Sequence, residues 1–160
     1  MASRKDDGNR LSGSASGFVD APADDVFALV TDIERLPEWN AAVARVSERP
    51  ARLEPPAEWV VTMKPVGWPA WPSRSWVEEF DPRRRIFRHG SQSDDGNPSY
   101  AEWQWQVDEE AGGSRVTISW ELHPRTFWRK LLAAPLRQRR LSRAEVPNSL
   151  AALAQHFASR

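Results

Sequence analysis

The chain has no cysteine among its 160 residues. That excludes disulfides, thiolate-held zinc, iron–sulfur clusters and a thiol nucleophile, and it suits a reducing compartment. Net charge is also missing, with 22 basic residues against 22 acidic, so the whole molecule offers no field to steer nucleic acid. No apolar run reaches the roughly 18 residues of a membrane-crossing helix, and the first residues lack the apolar centre of a secretion signal. A soluble, cytoplasmic protein without a nucleic-acid partner is expected. Histidine is sparse, and the three present are scattered with no carboxylates clustered beside them, so neither a metal site nor a cofactor is expected. Tyrosine occurs once, against nine tryptophans.

What is present reads as one domain preceded by a short tail. Residues 1–10 are polar and unpatterned, a disordered tail by composition. Residues 11–160 form the domain, long enough to bury about two-thirds of its unfolded surface. Its most regular stretch is the last. Val146, Leu150, Leu153 and Phe157 recur at helical spacing, and Ala151, Ala152 and Ala154 let that helix lie close to its partner. A stripe of this kind needs a surface to pack on.

Leu11–Asp20 reads as a first strand with small residues (Gly13, Ala15, Gly17) and Val19 on one face. Pro22, Asp24 and Asp25 open a helix whose buried side is Val26, Phe27, Leu29 and Val30. Thr31 and Glu34 have the form of a capping box for a second short helix, ended at Leu36-Pro37. Six further strands follow, at about 42–48, 58–64, 73–80, 85–90, 99–108 and 115–123, separated by short Pro, Gly and Asp signals that imply antiparallel neighbours. In the last two, Ala101, Trp103, Trp105 and Val107, then Val116, Ile118, Trp120 and Leu122, alternate with polar residues, one face buried and one wet. The register of the strands at 73–80 and 85–90 stays open, because Trp76 and Phe80 argue one way and Val77 the other. Phe127, Trp128, Leu131 and Leu132 begin a C-terminal helical region that Pro135 interrupts and Pro147 kinks or restarts.

Three stretches carry a resemblance. The run Val19-Asp20-Ala21-Pro22 through Val26-Phe27 to Leu36-Pro37-Glu38-Trp39-Asn40 is similar to the opening of the START-like (SRPBCC) superfamily of polyketide cyclase/dehydrase and lipid-transport proteins. Glu79-Phe80-Asp81-Pro82 through Ile86 resembles that superfamily's hairpin between strands four and five. Gly113–Thr117 through Trp120–Pro124 resembles its last strand, and Glu145–Leu153 its final helix. The resemblance implies an α+β helix-grip fold: a seven-stranded curved antiparallel sheet around a long C-terminal helix, with two short helices between strands one and two. It also implies a cavity between sheet and helix for a small hydrophobic molecule. A fold does not carry a reaction with it, and no residue set here matches a cyclase's catalytic motif.

The preferred expectation is therefore binding or carriage of a small hydrophobic, aromatic or lipid-like molecule. Trp59, Met63, Trp103, Trp105 and Trp120 would form the walls, and Trp68 and Trp71, held stiff by prolines, the mouth. The same rings could instead fill the interior solidly. The loop from Gly90 to Ser99, rich in glycine, serine and aspartate, would be a looser latch. A polyketide cyclase/dehydratase activity is the alternative, and it needs an inward acid or base; Glu79 and His89, with Arg74 nearby, qualify only if Val77 also faces in. His123 reads as an edge residue and His156 as a solvated helix position. Finally, Arg125, Arg129, Lys130, Arg137, Arg139, Arg140 and Arg143 are seven cations without an acid among them. They could meet an anionic membrane or an acidic partner, although a solvated face is the preferred reading. Oligomeric state is not legible.

Overall fold

The computed structural model describes residues 11–126 and 133–159. The tail at 1–10 and the apolar edge of Phe127, Trp128, Leu131 and Leu132, with Arg129 and Lys130, lie outside them. Seven antiparallel strands make one sheet in the order β1-β7-β6-β5-β4-β3-β2. They are β1 Ser12–Val19, β2 Val43–Glu48, β3 Glu58–Met63, β4 Trp71–Asp81, β5 Ile86–Ser93, β6 Tyr100–Glu110 and β7 Gly113–His123. Every neighbour from β2 to β7 is joined by a hairpin. The one long connection, from β1 at one edge to β2 at the other, carries α1 (Ala23–Val30), a 3-10 turn (Ile33–Arg35) and α2 (Leu36–Trp39) across the concave face. This is the expected α+β helix-grip fold, and its C-terminal helix runs 25 residues.

Local signals explain the helices, with two corrections. Thr31 does not cap a second helix. It closes the first, its hydroxyl donating to the Phe27 carbonyl at 2.8 Å, because a threonine hydroxyl reaches a carbonyl four residues back as easily as an amide ahead. Nor does Pro37 end a helix. It lies in the first turn of α2, where its missing N–H would have had no partner anyway. Pro135 and Pro147 stand near the starts of α3 (Ala134–Arg140) and α4 (Val146–Ala158), each preceded by helical backbone. Between these two the helix continues through a π turn, Leu141–Glu145. Pro147 cannot donate to the Arg143 carbonyl and its ring crowds it; the wider π turn absorbs the conflict without breaking the helix.

The disputed register resolves through a β-bulge. Pairing between β4 and β5 slips between Val77 and Glu79, and one extra residue inverts the facing of everything beyond it. Val77 is therefore buried, and Phe80 also turns inward to stack on Phe27 at 5.9 Å. Trp76 goes to the convex face and lies over Gly90, where any Cβ would come within 2.0 Å of the indole. Val77 was the right cue before the bulge and Phe80 the right one after it, while Trp76 pointed the wrong way.

The α4 stripe lands as its spacing requires. Val146, Leu150 and Leu153 are buried and Phe157 packs at the margin of the same core, each full burial worth about 2 kcal/mol. The small face of β1 makes this possible: Gly13 lies beneath the Trp120 indole and Gly17 against Leu150. Among the described residues no helix is long and apolar enough to cross a membrane.

Candidate functional site

Between the concave sheet face and the C-terminal helix lies a cavity of about 120 Å³, roughly ten times the space one water molecule needs. Sheet residues supply most of the wall. Trp59, Val61 and Met63 come from β3, Trp71, Ser73 and Ser75 from β4, Phe87, His89 and Ser91 from β5, and Trp103 and Trp105 from β6. Val43 of β2 adds to the sheet side, and the opposite side is Leu36 and Asn40 with Arg137, Leu141, Glu145, Val146 and Ser149. The alternation of the strands explains the composition. A strand with serine at two successive inward positions, Ser73 and Ser75, leaves a trough, and the rings of the neighbouring strands stack on one another beside it.

The expected wall residues divide. Trp59, Met63, Trp103 and Trp105 are brought together around the cavity, whereas Trp120 lies outside it. Trp120 is buried beside Gly13, and its Nε1 donates to Gln138 Oε1 at 2.9 Å. Gln138 in turn donates to the Ser12 carbonyl at 2.7 Å, so this indole fastens the C-terminal helix to the sheet edge. Trp71 belongs to β4 rather than to a loop and lines the cavity, while Trp68 is half exposed and lies under the Arg140 guanidinium at 4.9 Å. The latch is shorter than expected, since β5 runs on to Ser93. Its remainder is tied by Asp95 and Asn97 side chains to backbone amides and by Arg74 to Asp94 at 3.1 Å.

Of the three ionisable candidates, only His89 faces the cavity. Glu79 is on the convex face between Arg84 and Arg88, and Arg74 is there too, shared by Asp94, Glu48 and Glu58. The bulge that buries Val77 gives Glu79 the opposite facing. His89 is enclosed by aromatic rings: Phe87 stacked at 5.0 Å, Trp59 at 5.3 Å and Trp103 at 6.4 Å. What accessible surface it keeps belongs to the cavity wall. Burial pushes its pKa down to about 4, against a weaker opposing effect of the Gly90 backbone, so the ring is neutral at pH 7. Its Nδ1 is buried, and the Gly90 backbone beside the ring does not reach it in hydrogen-bond geometry, a costly state for a polar atom.

Several cavity groups had no legible sequence signal. Glu145, barely exposed, sits in the wall and pairs with Arg137 at 3.3 Å and Arg140 at 3.4 Å. Arg137 also stacks over the Trp71 ring at 5.6 Å. The π turn and the residues after it put Leu141, Glu145, Val146 and Ser149 on the cavity side together. Trp39 is buried edge-on to Trp105 at 5.4 Å. The Trp103 indole donates to Ser91 at 3.0 Å.

The other two histidines are each partly buried, His156 against the expectation of a solvated position. His156 lies half-buried against Arg35 and Phe157. His123 ends β7 beneath the Tyr100 ring and is 2.7 Å from Glu102. Strand pairing places Glu102 opposite Glu121, so two carboxylates distant in sequence do cluster at His123, their ligand atoms within 4.8 Å of one another. The trio is on the convex face, away from the cavity, and His123 already bridges it.

Solved structures of similar shape are numerous. Protein CV1439 from Chromobacterium violaceum matches with a TM-score of 0.71 at 18% identity, over 92% of this chain and 96% of its own. TTHA0849 from Thermus thermophilus matches with a TM-score of 0.70 at 21% identity, over 92% and 97%. The di-domain ARO/CYC BexL from the BE-7585A biosynthetic pathway gives a TM-score of 0.70 at 20% identity, over 92% of this chain and 46% of its own. At these identities the likeness is one of fold. No curated protein sequence matches. The model of one family, described as polyketide cyclase / dehydrase and lipid transport, matches residues 10–158, and the chain belongs to that family.

Proposed function

We propose that the protein binds or carries a small apolar molecule, ring-bearing and with one hydrogen-bonding substituent, in the cavity between sheet and C-terminal helix. The observation that carries this reading is the His89 Nδ1, an unpartnered polar atom beside an aromatic-lined void. Trp39 Nε1 and Ser114 Oγ are buried unpaired as well, but neither lines the cavity; at His89 a ligand hydroxyl would satisfy the atom while Trp59, Trp103 and Trp105 flank the ring. Family membership supports the class of ligand, since both polyketides and lipids are largely apolar.

Naphthalene and naphthol test it by tryptophan emission. Both are expected to shift the spectrum, with naphthol the tighter. His89→Phe should cut naphthol affinity by about tenfold, the usual net value of one hydrogen bond, and leave naphthalene affinity nearly unchanged. An emission spectrum that neither compound alters would sink the reading.

A cyclase or dehydratase is the second reading, and one observation keeps it: His89 is neutral and faces the void. A base with so low a pKa is a weak one, yet of the two candidates His89 and Glu79 it alone is on that side. Any turnover of a polyketone should vanish in His89→Phe and persist in Glu79→Gln; the reverse result would discard this assignment.

A further inference from the structure

Among the described residues four large apolar side chains stand out of the surface: Phe18 on β1, 41% exposed, and three that lie together elsewhere. Val66 is 93% exposed, Leu136 55% and Trp68 49%. Val66 and Trp68 belong to the connection between β3 and β4, while Leu136 is on α3, one helical turn before Arg140. Arg140 joins the two: it donates to the Val66 carbonyl at 2.6 Å and covers the Trp68 ring. The connection and the helix thus form one surface at the rim of the cavity, next to Trp71 and Arg137 of its wall.

The charge around these tips has one sign. Lys64, Arg139 and Arg143 are exposed, and Arg137 and Arg140 share a single carboxylate, Glu145. No acidic residue occurs between Glu58 and Glu78, or between Glu121 and Glu145. A chain with no net charge has therefore concentrated cations on one face. Leu136, Arg139 and Arg143 recur at helical spacing and are exposed, so the outer side of the helix carries this pattern outward.

We infer that this rim docks on an anionic lipid bilayer. Val66 and Trp68 are projecting tips, not a groove. A projecting valine suits a surface that can be penetrated, and an indole beside guanidiniums suits the boundary between headgroups and acyl chains. Cations near such a surface add affinity that salt screens. Docking here would turn the cavity mouth toward the lipid, but the surface itself exists whether or not the cavity holds a ligand.

Co-sedimentation of the full chain with phosphatidylcholine vesicles, and with vesicles containing phosphatidylglycerol, tests the inference at low and high salt. The protein should pellet with the anionic vesicles at low salt and be released by salt. Val66→Asp, whose side chain is bare, should weaken binding by at least tenfold. Arg139→Gln with Arg143→Gln should weaken it by roughly twentyfold, since each cation is worth about fivefold near an anionic surface. Thermal unfolding should be unchanged in both, and naphthol binding as well, which separates this failure from a failure of the cavity. Absence from the anionic pellet at low salt, equal binding to neutral vesicles, or indifference to Val66→Asp would overturn it. A dimer in sedimentation velocity that Val66→Asp dissociates would assign the face to a second copy of the chain instead.

Discussion

Two regions of one sheet, its β1 edge and its β4–β5 middle, solve the same problem in opposite ways. Both have small residues on the concave face: Gly13, Ala15 and Gly17 on β1, and Ser73, Ser75 and Ser91 on β4 and β5. At the β1 end a large side chain from the neighbouring strand moves in. Trp120 occupies the space over Gly13, Leu150 closes on Gly17, and Gln138 bonds to both the indole and the strand. In the β4–β5 region nothing moves in. The rings of Trp59, Phe87 and Trp103 stack around His89 beside the trough, and a void remains. Small residues alone do not make a cavity; what matters is whether an opposing side chain can reach them.

The sharpest way to break that comparison is Trp120→Ala. It removes a buried indole and its hydrogen bond to Gln138 from the solid region, and should cost about 3–5 kcal/mol, read as a lowered urea midpoint. A cost no larger than that of Trp103→Ala in the hollow region would mean that the two regions are packed alike.

Acid should probe the hollow region next. His89 has a folded pKa of about 4 against an ordinary 6.5. Above pH 6.5 the ring is neutral both folded and unfolded, and it contributes no pH dependence. As pH falls below that value the unfolded chain takes up a proton that the folded one refuses, so stability drops until about pH 4 and then levels off. The loss approaches about 3 kcal/mol at most. Urea unfolding at pH 7 and pH 4.5 should show His89→Gln losing less than the parent protein; parallel losses would place the imidazole in contact with bulk water.

Gly13→Val is the overpacking test. A Cβ there would fall 2.3 Å from Trp120 Cζ2, and the expected cost is about 1–3 kcal/mol. Its counterpart in the other region is Ser75→Val, where the hydroxyl of a buried serine gives way to a methyl facing space. Stability should change by less than about 1 kcal/mol, in the stabilising direction, while naphthol affinity falls because the trough is filled. Equal destabilisation by the two substitutions would show that no void exists at Ser75.

Legibility followed the same division. The alternation of β6 and β7 named the faces of Trp103, Trp105, Ile118 and Trp120 correctly, and the spacing of Val146, Leu150 and Leu153 named the buried side of α4. Both are periodic signals, repeated often enough to outweigh single exceptions. A lone insertion has no period, and so the bulge at Glu78 was visible only as two cues in conflict. His89 inherited that ambiguity, as did Glu79. Trp120 was read with the correct face yet lies outside the cavity, because facing is a property of the strand whereas neighbours belong to the sheet. Glu102, Glu121 and His123 make the same point on the convex side, and Glu145 makes it on the helix, facing the void by virtue of a π turn.

By itself the sequence determined the order of strands and helices, which side of each is apolar, and hence the family's fold, since these follow from backbone geometry and side-chain polarity within a few residues. Tertiary structure alone decided that Trp120 would fill its trough while the trough beside His89 stayed open, and that loop and helix would share one basic, apolar rim. Those outcomes depend on the reach of side chains from segments many residues apart, which only the closed sheet brings into range.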